Sequence, residues 1–153
     1  MDFAQVKEAI EENTITLIDV RNLDEVESSG KIPKSHLIPR KYVYQSAVCP
    51  WSVVPTKIEV KDLLFLGHMY HHHVFFSVPE IEVAFLMDDV TFKDKYGFDK
   101  PDKNAPVVTH CLKGGRAGRA AQTLIGQGYA NVKVYAGSFL DWQAQGGPVD
   151  EKW

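Results

Sequence analysis

Apolar residues recur along this chain in short bursts whose spacing alternates between helical and extended. Phe3, Val6 and Ile10 share one helical face, and Asp2 with Gln5 has the spacing of a capping box. A helix is therefore expected from the first residues until Asn13 and Thr14 break it. Thr16-Leu17-Ile18-Asp19-Val20 is apolar on both faces, as a buried parallel strand tends to be. Asn22 and Glu25 suit the start of a short helix that stops at Gly30, and His36-Leu37-Ile38-Pro39 reads as a second short strand. Much further on, Asp89 is placed to cap a helix over residues 90–96 that ends at Gly97. Pro106-Val107-Val108-Thr109 is the next strand, residues 117–127 are compatible with a helix, and Val132-Lys133-Val134-Tyr135 is a last strand. Phe139-Leu140-Asp141-Trp142-Gln143 forms a short closing helix before Gly146-Gly147-Pro148. Strands alternating with helices predict an α/β fold, a central parallel sheet with helices on both faces. In such sheets ligands bind beyond the C-terminal ends of the strands.

Composition narrows the class. A chain of 153 residues with 44% hydrophobic and 24% charged content is expected to be one globular domain with a core that needs no staples. A net charge of -3 argues against a nucleic-acid partner. No apolar run approaches the roughly 20 residues of a membrane span, so no membrane partner is expected. Cys49 and Cys111 are too few for a disulfide scaffold, which favours a reducing compartment. The first residues are acidic, without the apolar stretch of a secretory signal or the Arg-rich character of a mitochondrial presequence, so a cytoplasmic location is expected.

The chemistry gathers in Thr109-His110-Cys111-Leu112-Lys113-Gly114-Gly115-Arg116-Ala117-Gly118-Arg119. A strand delivers one cysteine into a short loop that runs into a helix N-terminus. Successive backbone N–H groups and the positive end of the helix dipole face that sulfur, and both favour thiolate, the nucleophilic form. Gly114 and Gly115 allow the positive φ angles that bring loop amides close to an anion. Lys113, Arg116 and Arg119 add positive charge. Such a loop suits a nucleophilic sulfur and a small anionic substrate. His110 is expected to point away from the face that Cys111 uses, as a buried, hydrogen-bonded histidine.

These residues resemble a known family. Cys111-Leu112-Lys113-Gly114-Gly115-Arg116, preceded by Val107-Val108-Thr109-His110, is similar to the active-site loop of rhodaneses, the thiosulfate sulfurtransferases. The run from Gly126-Gln127-Gly128-Tyr129 through Val132-Lys133-Val134-Tyr135-Ala136-Gly137-Ser138 to Trp142 looks like the rhodanese C-terminal series. Leu17-Ile18-Asp19-Val20-Arg21, Gly30-Lys31-Ile32-Pro33 and His36-Leu37-Ile38-Pro39 resemble its N-terminal half, with Lys34 standing where a glycine commonly follows the proline, and residues 78–87 look like the family helix that follows the second strand. The small, single-domain eukaryotic branch is the best match. The resemblance implies a rhodanese-like α/β fold with the active-site loop at a strand C-terminus. It further implies that Cys111 takes the outer sulfur of thiosulfate, or of a related persulfide donor, releases sulfite and carries the sulfur as a persulfide to a thiol or cyanide. Leu112, Lys113, Gly114, Gly115 and Arg116 would bind the donor and steady the persulfide. The acceptor would be a thiol such as glutathione or thioredoxin, and no cofactor is needed. Asp19 and Arg21 read as structural, while Arg119 is left outside the site because it is placed to salt-bridge Asp19.

Residues 41–77 interrupt this pattern inside what is otherwise a single rhodanese domain spanning residues 1–153. They hold Cys49, Tyr42, Tyr44, Trp51, a Leu63-Leu64-Phe65-Leu66 run and His68, His71, His72 and His73. Adjacent histidines cannot all face one ion, and no Cys-x-x-Cys or spaced carboxylates accompany them, so no metal site is expected. A structureless loop of this length is uncommon in a compact domain. Its abrupt ends, and the closing Val74-Phe75-Phe76-Ser77 that a pyrimidine-rich splice acceptor would encode, read as a retained intron or gene-model artefact. The rival is a genuine insertion serving as a dimer contact or lid.

Two other functions compete. A phosphatase or arsenate reductase of related fold needs Cys-x5-Arg, a loop wide enough to surround a tetrahedral oxyanion. Here Arg116 comes one position early and Ala117 occupies the required place. The other is a non-catalytic rhodanese-like binding or regulatory module, inactivated by the insertion. On the artefact reading, transcript sequencing finds the segment absent from most mature messages; abundant in-frame message carrying it contradicts that reading.

Overall fold

Thr16, Leu17 and Ile18 pair in parallel with Val107, Val108 and Thr109, and this pairing is the centre of the molecule. A computed structural model, which describes residues 1–39 and 80–151, arranges the extended runs as four strands. These are β1 (Thr16–Asp19), β2 (His36–Leu37), β3 (Val107–His110) and β4 (Val132–Val134), in the order β2-β1-β3-β4 and all parallel. Parallel neighbours cannot be joined by tight turns, so helices fill the connections. Those described are α1 (Phe3–Glu11), α2 (Leu23–Ser29), α3 (Glu80–Ala84), α4 (Asp89–Tyr96), α5 (Gly115–Gly126) and α6 (Ser138–Ala144). The insertion at residues 41–77, with Cys49 and the four histidines, lies outside the described residues, as do residues 78 and 79 of the helix expected at 78–87.

The two-residue period of the strands separates two cores. Leu17 and Val108 face α1 and α6, packing with Val6, Ile10, Ile32, Tyr135, Phe139 and Trp142. Ile18 and Val107 face the other side, with Ala117, Ala120 and Leu124 of α5, Ile81 and Ala84 of α3, and Phe92 of α4. Trp142 is held by its indole N–H, which donates to the Pro148 carbonyl at 2.7 Å. A Cβ on Gly147 would collide with the indole ring, so this turn needs a residue without a side chain.

The caps explain where several helices start. Asp2 Oδ1 accepts from Gln5 N at 2.9 Å while Gln5 Oε1 accepts from Asp2 N at 3.1 Å, completing the expected capping box. At α4 the cap is Asp88 rather than Asp89: Asp88 keeps an extended backbone and its Oδ1 accepts from Thr91 N at 3.0 Å, whereas Asp89 is already helical. Gly97 ends this helix in the left-handed conformation. The helix after the cysteine begins at Gly115, two residues before the expected start.

Lys34, the departure from the family pattern, takes φ 60°. The left-handed region costs a non-glycine residue about 1–2 kcal/mol. Its ammonium group donates to the Ile10 carbonyl at 3.0 Å and to Asn13 Oδ1 at 2.7 Å, contacts that a glycine would not make and that offset part of this cost.

Candidate active site

Cys111 follows the last residue of β3 and lies at the C-terminal edge of the sheet, where α5 begins. It packs on the α5 side of the sheet, and its side chain is almost wholly covered, with 1% relative exposure. Burial alone would push the thiol upward. It is outweighed by the backbone N–H groups of Ala117, Lys113, Gly114 and Arg116, and the thiol is held below its ordinary value. The Gly114 N–H donates to Cys111 Sγ at 3.1 Å. Gly114 has φ 92°, and a Cβ there would collide with the Ala136 carbonyl oxygen. Glycine is required both for the backbone angle and for the space.

The loop is also tied down from behind. Cys111 N donates to Ser138 Oγ at 3.1 Å, and that hydroxyl donates to the Tyr135 carbonyl at 2.8 Å. Phe139 N donates to the Cys111 carbonyl at 2.9 Å and Leu140 N to the Leu112 carbonyl at 3.1 Å. The first turn of α6 thus fixes the backbone on either side of the sulfur. Ser138 holds this position at φ 55°, an uncommon conformation for a side-chain-bearing residue that the surrounding bonds maintain.

The five other loop residues expected to act together divide. Gly114 and Arg116 direct amides at the sulfur, as does Lys113. Leu112 packs its side chain against the core on the α1 side, and Gly115 opens α5. The Lys113 side chain is exposed, and its ammonium has no hydrogen-bond or ion-pair partner among the described residues. Arg116 is bound bidentately by Glu25, with Nη1 to Oε2 and Nη2 to Oε1 both 2.6 Å. Arg116 lowers the Glu25 carboxyl through these bonds, against an opposing effect of burial. Glu25 in turn raises the guanidinium, with a smaller contribution from Cys111. Sequence reasoning saw Glu25 only as a helix cap. That half is present, since Glu25 Oε2 accepts from Asn22 N at 2.9 Å, but the same carboxylate also holds the loop arginine.

Asp19 pairs with Arg21, not with Arg119. Arg21 Nη2 lies 2.6 Å from Asp19 Oδ2, both side chains are buried, and the guanidinium stacks 3.9 Å from the centre of the Phe139 ring. The register sets Asp19 level with His110 on the neighbouring strand, on the face away from Cys111. His110 is buried as expected but not hydrogen-bonded: both ring nitrogens lack a hydrogen-bond partner, with Asp19 Oδ2 at 3.7 Å. Its desolvation lowers the imidazole pKa, outweighing the attraction of Asp19, and favours the neutral form. Among the described residues no group of three or more His, Cys, Asp or Glu is placed to hold a metal ion.

A parallel α/β sheet presenting one cysteine in an amide-lined loop before a helix defines the class, a rhodanese-fold domain. Comparison with known proteins agrees. A family model described as a rhodanese-like domain matches residues 76–145. The Drosophila melanogaster rhodanese domain-containing protein CG4456 is 28% identical over 95% of this chain and 96% of its own. The Saccharomyces cerevisiae mitochondrial thiosulfate sulfurtransferase RDL2 is 36% identical over 42% of this chain and 43% of its own. The solved human single-domain sulfurtransferase TSTD1 superposes with a TM-score of 0.67 at 21% identity, over 95% of each chain. Residues 76–145 thus match a rhodanese-like domain, and over nearly its whole length the chain is similar to single-domain rhodanese-like proteins and shares their fold.

Gly114→Ala tests the loop directly. Strain and collision are expected to cost about 1–3 kcal/mol in urea denaturation and to slow alkylation of Cys111 by iodoacetamide at neutral pH. An unchanged denaturation midpoint and an unchanged alkylation rate would contradict this account of the loop.

Proposed function

We propose that the protein is a thiosulfate sulfurtransferase that moves a sulfane sulfur through a Cys111 persulfide. One observation carries the reading: a single cysteine whose thiol is lowered by converging loop amides despite its burial. The Cys111 thiolate attacks the outer sulfur of thiosulfate or of a related persulfide donor. The donor's S–S bond breaks, sulfite leaves with the bond's electron pair when the donor is thiosulfate, and the new Cys111–S bond holds the transferred sulfur. The amides that favour the thiolate also favour an anionic terminal sulfur, as an oxyanion hole favours developing charge. A thiol such as glutathione or thioredoxin, or cyanide, then takes the sulfur and restores the thiolate, which makes the cycle a two-step covalent one.

In this reading Lys113 supplies the free cation at the mouth of the loop, and Leu112, Gly114 and Gly115 give it its backbone shape. Arg116 contributes its amide and, through Glu25, a fixed guanidinium beside the sulfur. An anionic donor must share Arg116 with the Glu25 carboxylate, so Lys113 carries more of the attraction than a plain count of loop cations suggests. No cofactor, nucleic acid or membrane enters the scheme. We take residues 1–153 as one such domain interrupted at about residues 41–77, and place it in the cytoplasm. Because the yeast relative is named mitochondrial, fractionation of cells expressing the tagged chain is the test of that placement.

Intact mass of the purified full chain before and after thiosulfate tests the proposal. A gain of one sulfur, absent in Cys111→Ser and reversed by cyanide, is expected. A folded chain that takes up no sulfur would contradict it and favour a non-catalytic module.

A further inference from the structure

Arg119 lies one helical turn beyond Arg116 on α5, so the two guanidinium groups leave the same face of the helix. Their electrostatic situations differ. Arg116 is neutralised by Glu25. Arg119 is exposed and has no ion-pair partner among the described residues. Both line one cleft whose walls are the buried apolar residues Val20, Ile38, Ile81 and Ala120. Glu80 also borders it, with Oε1 engaged by the Tyr96 hydroxyl at 3.0 Å and the Lys95 ammonium at 2.7 Å. The cleft adjoins the reacting sulfur, because its walls Val20, Ile38, Ile81 and Ala120 pack in one cluster with Cys111 and Arg116 belongs to the loop that follows it.

We propose that this cleft is the acceptor subsite, taking a low-molecular-weight thiol that bears a carboxylate, with Arg119 as the residue that selects for the negative charge. The inference rests on the sulfur-transfer reading and names the class of its second substrate. Apolar walls suit the methylene groups of such a thiol, and the unpaired guanidinium suits its carboxylate as a bidentate partner. The acceptor thiolate attacks the terminal sulfur of the Cys111 persulfide. Its new S–S bond forms as the Cys111–S bond breaks, and Cys111 leaves as the thiolate. The proton of the acceptor thiol goes to solvent, and no external oxidant or reductant is consumed.

The test loads the full chain with thiosulfate, removes the excess and follows loss of the persulfide by intact mass after adding 3-mercaptopropionate, 2-mercaptoethanol or cysteamine. Comparing each thiol with itself across variants cancels its intrinsic reactivity. Arg119→Ala is expected to lower the rate with 3-mercaptopropionate, relative to that with 2-mercaptoethanol, by about threefold to fivefold, the scale of an exposed ion pair. Arg119→Lys should restore most of the ratio, and Arg119→Glu should shift the preference toward cysteamine. Unchanged ratios in Arg119→Ala and Arg119→Glu would overturn the subsite while leaving sulfur transfer standing. Failure of the unaltered chain to load sulfur would overturn the transfer reading, and the subsite with it.

Discussion

The contest at Cys111 between burial and backbone amides sets the requirements for the rest of the site. A sulfur at 1% exposure would ordinarily stay a thiol, since a charge there has lost its water. Four N–H groups, those of Lys113, Gly114, Arg116 and Ala117, replace that water with fixed dipoles and outweigh the burial, so that the thiol is held below its ordinary value. Fixed dipoles do this only if the backbone carrying them is held in one shape. The glycine at φ 92° packed against the Ala136 carbonyl, the strained Ser138 that accepts the Cys111 amide, and the α6 N–H groups bound to the Cys111 and Leu112 carbonyls supply that rigidity.

The sheet delivers this loop and keeps its two sides chemically distinct. β3 ends with His110 on one face and Cys111 follows on the other, so the buried Asp19–Arg21 pair and the His110 imidazole lie behind the site. A buried ion pair contributes little net stability when compared with apolar residues, but breaking it leaves a costly charge. Here Arg21 reaches further, stacking on Phe139, whose N–H donates to the Cys111 carbonyl. Thus the segment that follows β1 is linked to the nucleophile through α6, in addition to the direct pairing of β1 with β3.

Much of this was legible in the order of residues. The change of period from two to nearly four marked the strands and helices, and the cysteine, two glycines and following cations marked the loop. The family resemblance covered both halves. What sequence could not resolve were choices among near-equivalent neighbours and pairings across long separations. Asp88 and Asp89 have the same cap chemistry, and only the backbone angle selects Asp88. Asp19 had two arginines to choose from, and the one two residues away won through a bidentate, buried geometry. Glu25 and Arg116 are 91 residues apart, and nothing local in either stretch announces their bond. Ser138 was visible as a turn residue, but its role behind Cys111 depends on β4 and α6 lying beside β3.

The central claim is that amides, more than the neighbouring cations, hold the Cys111 thiol below its ordinary value. Ultraviolet titration of the thiolate tests it most directly, on the unaltered chain and on Arg116→Met, each against the same chain carrying Cys111→Ser as the blank. The account predicts a midpoint below the roughly 8.5 of a free cysteine in both, because removing the Arg116 side chain leaves its amide in place. A midpoint at or above that value in the unaltered chain, or one that returns to it in Arg116→Met, would contradict the account.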